Sequence, residues 1–265
     1  MNPVIILDLS YGGLEIVRVL HKYTKVYGFY KQTESKYFEV QTILCNNKIE
    51  YASENDLLDK LLTLIQQQSE KPVLMITSDP QASFYNKHQS ILKNKVLIHF
   101  PTEHAFTSLV DKDAMSKFAA LHGYSIPKTT AISSLNASEI PCPCFIKPKY
   151  KDSRWKSLLK GMMCDTTNDI VEVIEGTDAE LLAQEWIGGP TTNIFFSMVY
   201  VKSGKVIEQC VGRKIREWPL VAGTGTCLQQ VYNPEVKDIT KRFFESVQGY
   251  EGYGSLELKY NEVDN

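Results

Sequence analysis

The first hundred residues alternate between apolar runs of strand length and segments whose apolar positions recur at helical spacing. Val4–Leu7 is an unbroken apolar run and predicts a strand. Leu14–Leu20 carries apolar residues roughly at helical spacing, and Lys25–Tyr30 predicts a second strand. This order of strand, helix and strand predicts a parallel, Rossmann-like βαβ layer.

Further elements extend this layer. Asp56–Gln67 has the pattern of an amphipathic helix, Pro72–Thr77 predicts a strand, and Ser78–Pro80 predicts the start of another helix. Val96–Ile98 closes the layer near residue 100. The Gly12–Gly13 pair lacks a full G-x-G-x-x-G pattern, so it favours a turn over a dinucleotide site.

From residue 100 onward the pattern changes to short strands with intervening helices. Pro101–Lys112 is interpreted as a link, and the pattern of Asn168–Glu175 does not separate helix from strand. The other predicted elements are a helix over Asp111–His122, strands over Cys144–Lys147 and Leu181–Ile187, a hairpin of Asn193–Val201 and Lys205–Gly212, a helix over Pro234–Gln248, and a strand over Ser255–Tyr260. The sequence therefore predicts an α/β layer followed by an α+β part.

Basic residues recur where chemistry is to be expected. Lys147 ends a short apolar strand, and residues 147–160 hold five lysines and one arginine against one aspartate. That segment is either a solvated surface loop or a phosphate lid whose ammonium groups balance a polyphosphate. Arg213–Arg216 is interpreted as a basic loop, and Ala222–Thr226 as a small-residue loop that lets backbone N–H groups approach a ligand.

Glu257 is the acidic candidate. It stands between Leu256 and Leu258 in a predicted strand, so its side chain points to the face opposite to theirs. The sequence leaves two roles open, an outward surface acid or a metal ligand on a polar face.

Composition narrows the class of protein. The 265 residues are 43% hydrophobic and carry a formal net charge of −2, which gives no global attraction to nucleic acid or anionic membranes. No apolar run approaches the roughly 20 residues of a membrane span, and the start does not resemble a signal peptide. The six cysteines form no zinc pattern, so we expect reduced thiols and a cytoplasmic protein. There is neither a G-x-S-x-G elbow nor a Walker-type loop.

In this order, the motifs resemble those of the ATP-grasp superfamily, and within it the carboxylate–amine ligase and carbamoyl-phosphate-synthase-like branch. The resemblance rests on Asp111-Lys112, Gly123–Thr129, Cys144–Pro148, Gln184–Pro190, and the late pair Arg213–Pro219 and Gly254–Lys259. It implies a Rossmann-like preATP-grasp domain over 1–104, a small ATP-grasp subdomain over 105–183 and a large, incomplete one over 184–265.

The resemblance also implies a role for each candidate residue. Nucleotide contacts are assigned to Lys112, Lys147, Gln184, Glu185, Trp186, Ile187, Asn193 and Arg213. The two lysines would contact phosphates, the 184–187 segment would hold the adenine edge, and Asn193 would contact the ribose. Lys214 and Arg216 would be catalytic, and Glu257 would bind Mg²⁺.

The implied activity is ATP-dependent formation of an amide through an acyl-phosphate, with small-molecule carboxylate and amine substrates, such as an amino acid or peptide. ATP and Mg²⁺ are the expected cofactors, and a homodimer is the expected assembly. Two features depart from the family: the loop after Lys147 lacks its usual glycines, and a second carboxylate strand is absent, which predicts a fragment or truncated chain. A catalytically inactive or regulatory ATP-binding module, and a Rossmann-like protein for another small ligand, stay open as alternatives.

Overall fold

The computed structural model of the protein describes residues 1–149, 154–155, 160–220 and 223–263. The chain divides into two compact units, Met1–His99 and Phe100–Asn265. Within the described ranges, no helix combines the length and the hydrophobicity that crossing a bilayer requires.

The first unit is a parallel sheet with helices. Its elements are β1 Val4–Ile6, α1 Tyr11–Leu20, β2 Val26–Lys31, β3 Asn47–Tyr51, α2 Glu54–Gln66, β4 Val73–Met75 and α3 Asp79–Leu92. The strand order is β3-β2-β1-β4, and all three pairings are parallel. Ile5 and Ile6 are fully buried, as a central strand of a parallel sheet requires. The predicted Rossmann-like layer is confirmed.

Two details of this unit differ from the sequence-based prediction. Strand β3 was missed because its residues, Asn47–Tyr51, alternate only weakly between polar and apolar. The predicted strand at Val96–Ile98 contributes one isolated parallel bridge, between Val73 and Leu97.

The second unit contains the remaining elements. These are α4 Glu103–Val110, α5 Lys112–Leu121, β5 Thr129–Ile132, β6 Cys144–Pro148, β7 Met162–Cys164, α6 Thr167–Glu175, β8 Leu181–Glu185, β9 Ile194–Lys202, β10 Lys205–Trp218, β11 Thr224–Gln230, α7 Pro234–Ser246 and β12 Gly252–Lys259. The Pro101–Lys112 segment is wrong as a link because it contains α4, whose N-terminus is capped by the Thr102 side chain. The undecided 168–175 segment is helix α6.

Two antiparallel sheets organise this unit. The small sheet has the order β5-β8-β6-β7, and the large sheet has the order β11-β10-β9-β12. The small sheet packs against α6 around Ile146 and Ile170, whereas the large sheet packs against α4, α5 and α7 around Val201 and Phe243. A division at 183/184 would cut β8, and α4 and α5 belong to the core of the large sheet rather than to a small subdomain over 105–183.

The basic segment is a strand, not a loop. Arg213–Arg216 lies inside β10, and the ladder to β11 is irregular between Lys214 and Arg216. Such an irregularity re-aims neighbouring side chains. In the predicted small-residue loop, Ala222 lies outside the described residues and Thr224 already begins β11. Most of the predicted lid after Pro148 also lies outside them.

Candidate active site

One face of β6 carries the side chains of the candidate site. Cys144 and Ile146 point into the apolar core, so Phe145 and Lys147 lie on the opposite face. Lys147 Nζ donates a hydrogen bond to Gln184 Oε1 at 3.1 Å, and Gln184 Nε2 donates to Thr129 Oγ1 at 2.9 Å. Three strands of the small sheet thus contribute to one polar chain that ends at the Lys147 ammonium.

Lys112 reaches the same place from α5. Asp111 caps this helix by accepting from the backbone N–H groups of Asp113 and Ala114, which fixes Lys112 in the first turn. Lys112 Nζ donates to the Pro148 carbonyl oxygen at 2.9 Å, at the end of β6. The structure therefore brings the two sequence-predicted phosphate lysines together.

Burial acts against the charged form of both ammonium groups. Burial lowers the pKa of Lys147 to about 8, and the Lys112 charge contributes in the same direction. Burial also lowers the pKa of Lys112. No carboxylate of the described residues forms an ion pair with either of them. Two partly desolvated cations without an anion are an electrostatic arrangement that a polyphosphate would relieve.

The predicted adenine segment links the two sheets. Glu185 ends β8 and forms two hydrogen bonds with the backbone of Lys128. The Glu185 N–H donates to the Lys128 carbonyl oxygen, and the Lys128 N–H donates to Glu185 Oε2 at 3.1 Å. The Trp186 ring lies 6.0 Å from the Phe145 ring, and Lys259 Nζ lies 4.7 Å from the centre of the Trp186 ring. Trp186 therefore contacts side chains from both sheets, with a cation on its face.

The large sheet presents a charged pair. Lys214 Nζ on β10 lies 3.0 Å from Glu257 Oε2 on β12, across the intervening β9. The Lys214 side chain is 6% exposed, whereas that of Glu257 is 55% exposed. A Cβ on Gly225 would lie 3.4 Å from Lys214 Cγ, so the strand β11 packs closely on the lysine stem. The predicted metal ligand is thus the counter-ion of a buried lysine.

Among the described residues, Glu257 is not part of a ready-made cluster of metal ligands. No group of three or more histidine, cysteine, aspartate or glutamate side chains in the described ranges could hold a metal ion. Mg²⁺ commonly takes one or two carboxylates together with phosphate oxygens and water. Glu257 fits that pattern as a single ligand, provided that Lys214 releases it.

The other candidate residues do not join the Lys214–Glu257 pair. Arg213 pairs with Phe195 on β9 and points to the helix-covered face, opposite to Lys214, with its Nε buried and without a described partner. Arg216 is exposed, and Asn193 Nδ2 donates to Glu262 Oε1 at 2.8 Å. The structure does not bring Arg213 into the cluster of Lys214, and the amide of Asn193 already has a partner.

Sequence reasoning missed three residues of the site. Thr129 anchors Gln184, Lys259 stacks on Trp186, and the buried Glu217 accepts a hydrogen bond from Thr191 Oγ1 at 3.1 Å. A lysine at the end of an apolar strand was the signal that identified Lys147, and the same signal would have identified Lys259.

The packing behind β6 gives a stability prediction. A Cβ on Gly161 would lie 2.5 Å from the Ile146 carbonyl oxygen and 2.6 Å from the Phe145 ring. We expect Gly161→Ala to lower the free energy of unfolding by about 1–3 kcal/mol, because β6 or the ring must move. Chemical denaturation measures this, and Gly188→Ala is the matched control, since a Cβ there would meet nothing within 4 Å. Equal stability of the two variants would contradict the packing described.

Comparison with known proteins identifies solved structures that have a similar fold. No protein-family model and no curated protein sequence matches the chain. Among solved structures, an L-amino acid ligase from Bacillus licheniformis matches with a TM-score of 0.69 and 15% identity, over 99% of this chain and 64% of that one. N5-carboxyaminoimidazole synthase from Aspergillus clavatus was solved with ADP and 5-aminoimidazole ribonucleotide. It matches with a TM-score of 0.68 and 13% identity, over 100% of this chain and 67% of that one. A third match is the biotin carboxylase domain of Hydrogenobacter thermophilus 2-oxoglutarate carboxylase, solved as a dimer with MgADP and bicarbonate. Its TM-score is 0.65 and its identity 14%, over 100% of this chain and 62% of that one. The chain therefore spans about two thirds of each of these proteins.

Proposed function

We propose that this chain, which has the ATP-grasp fold, binds Mg·ATP between its two antiparallel sheets and takes part in ATP-dependent carboxylate–amine ligation. The observation that carries the proposal is the pair Lys112 and Lys147, whose partly buried ammonium groups lie at the end of β6 without a carboxylate partner among the described residues. This is the arrangement that bound phosphates would complete.

The roles of the chain's residues follow from the charge of the reaction. A substrate carboxylate oxygen forms a bond to the γ-phosphorus of ATP while the bond to ADP breaks, giving an acyl-phosphate. The amine nitrogen then bonds to the acyl carbon, phosphate leaves, and the amine loses a proton. Lys112 and Lys147 would hold the phosphates in line and neutralise their charge. Mg²⁺, bound by Glu257, would supply further charge neutralisation through hard oxygen ligands.

An amino acid or peptide is the proposed substrate class. It is supported by the fold shared with the amino acid ligase, at an identity of 15%. Lys214, placed beside Glu257, would contact the transferred phosphate once Glu257 binds metal. We also propose a homodimer, because the similar biotin carboxylase domain is a dimer. A cytoplasmic location is proposed as well.

A nucleotide-binding module without turnover is the second candidate. The Lys214–Glu257 ion pair favours it, because a carboxylate held by a buried lysine is not free for Mg²⁺. The two candidates share the nucleotide site and differ only in catalysis.

The proposal is tested by the melting temperature of the chain with and without Mg·ATP. Ligand at a hundred times its dissociation constant should add about 2.7 kcal/mol to the free energy of unfolding. NADH serves as the comparison ligand. Stabilisation by NADH and not by Mg·ATP would favour a Rossmann-like protein for another small ligand and would overturn the proposal.

A further inference from the structure

Glu217 holds a carboxylate that the proposed ATP chemistry does not use. The residue is 8% exposed, near the end of β10. One oxygen, Oε1, accepts from Thr191 Oγ1 at 3.1 Å. The other, Oε2, is buried and has no hydrogen-bond partner among the described residues. An ionised carboxylate is seldom buried in this way without a cation, because it loses its hydration shell.

The nearby cations are engaged elsewhere. Lys214 pairs with Glu257, and Lys259 lies over the Trp186 ring. Glu217 pairs with Gly225 on β11, and a Cβ on Gly225 would lie 3.5 Å from Lys214 Cε, so Glu217 lies close to the Lys214 side chain. Glu217 therefore belongs to the charged cluster of the large sheet, yet it forms no ion pair with a described residue.

We propose that Glu217 Oε2 binds the ammonium group of the amine substrate. This inference rests on the proposed ligase function and names the recognition of one of its two substrates. A primary ammonium group carries one positive charge and strong N–H donors, so it would offset the carboxylate charge and donate a hydrogen bond to the unpartnered Oε2. The hydrogen bond that Thr191 Oγ1 donates to Oε1 fixes the orientation of the carboxylate.

A divalent metal fits this position less well than an ammonium group. Lys214 already brings a positive charge to this part of the sheet, and it repels a dication about twice as strongly as an ammonium group. The described residues also lack a set of three acidic, histidine or cysteine side chains that could hold a metal.

The test compares Glu217→Gln with Glu208→Gln, an exposed glutamate on the same strand. Each protein is melted alone, with Mg·ADP, and with Mg·ADP plus each of the twenty standard L-amino acids in turn. The N-acetyl derivatives, which lack the ammonium group, are the ligand controls. Titration of Mn²⁺ into the Mg-free ADP complex is followed by electron paramagnetic resonance.

We expect Glu217→Gln to melt about 2 °C or more above the unmodified chain, because a buried charge is removed at constant shape. At least one L-amino acid should raise the melting temperature of the Mg·ADP complex, and its N-acetyl form should not. In Glu217→Gln the affinity for that amino acid should fall about tenfold or more, while the Mg·ADP shift is retained. Glu208→Gln should behave as the unmodified chain does.

Other outcomes overturn the inference in distinguishable ways. If Mg·ADP binds but no amino acid adds a shift, or if the shift survives in Glu217→Gln, Glu217 does not recognise an amine. A lower melting temperature of Glu217→Gln would assign the carboxylate to a structural ion pair. Weaker Mn²⁺ binding with unchanged amino acid binding would make it a metal ligand. Absence of any Mg·ADP shift would instead refute the proposed function itself, and with it this inference.

Discussion

Lys147→Met is expected to weaken Mg·ATP binding by about 10- to 100-fold and, in the same protein, to raise the melting temperature without nucleotide. The loss of affinity corresponds to one charge-assisted hydrogen bond to a phosphate. The gain in stability follows because the variant removes a partly buried ammonium group that lies beside the Lys112 charge. Isothermal titration calorimetry and thermal melting measure the two effects.

Two substitutions control for this result. Lys241→Met removes an exposed lysine of α7 and should change neither quantity. Lys147→Arg keeps the positive charge and should retain part of the affinity. If Lys147→Met bound Mg·ATP as tightly as the unmodified chain does, the nucleotide site would lie elsewhere.

The lowered pKa of Lys147 also gives these experiments a pH signature. Between pH 8 and the ordinary lysine value of 10.5, the unfolded chain binds a proton that the folded chain has lost. The free energy of unfolding therefore gains a favourable contribution from this group as the pH rises through that window. Mg·ATP affinity should fall over the same window, because the nucleotide prefers the protonated lysine. Lys147→Arg should reduce this slope, and Lys112, whose pKa is lowered as well, contributes to the slope that remains.

Glu257→Gln is expected to lower the free energy of unfolding by about 1–2 kcal/mol, because it leaves the buried Lys214 ammonium without its partner. Removing one member of a fully buried pair costs about 3–5 kcal/mol, and the 55% exposure of the Glu257 side chain reduces that figure. Lys214→Met alone should be close to neutral, and adding it to Glu257→Gln should restore stability. Chemical denaturation of the four proteins forms a double-mutant cycle.

Metal binding separates the two roles of Glu257. If Glu257 is the Mg²⁺ ligand, Mn²⁺ affinity in the ADP complex should fall in both proteins that carry Glu257→Gln. In Lys214→Met it should not fall, because the carboxylate has been released. Unchanged Mn²⁺ affinity in Glu257→Gln would reduce Glu257 to the counter-ion of Lys214 and favour a binding module.

The sequence predicted the elements whose apolar pattern is strong. The strand of Ile146 and helix α7 were placed within a few residues, and the β9–β10 hairpin was predicted with its second strand ending at Gly212 instead of Trp218. It failed where a segment is short or polar, as in α4, or where a charged residue lies within a strand. Arg213 and Arg216 look like loop residues by composition, yet backbone pairing to β9 and β11 holds them in β10. Tertiary pairing decides such cases, and local pattern does not contain it.

The candidate site also has parts that the sequence predicted and parts that it could not predict. The juxtaposition of Lys112 and Lys147 followed from the resemblance of ordered motifs, and the geometry of both side chains agrees with it. The partners of Glu257 and Glu217 could not be predicted, because each contact joins residues far apart in the chain. Only the folded sheet shows that one acid has a cation and the other has none among the described residues.

The hydrogen bond from Lys112 to the Pro148 carbonyl has a mechanical consequence. Helix α5 is anchored in the core of the large sheet, whereas Pro148 ends a strand of the small sheet. An ammonium group has three N–H donors, so Lys112 can keep this bond while a second donor contacts a phosphate. With nucleotide bound at the proposed site, this bond would act as a pivot: the small sheet could tilt while its contact with α5, at Pro148, stays beside the phosphates.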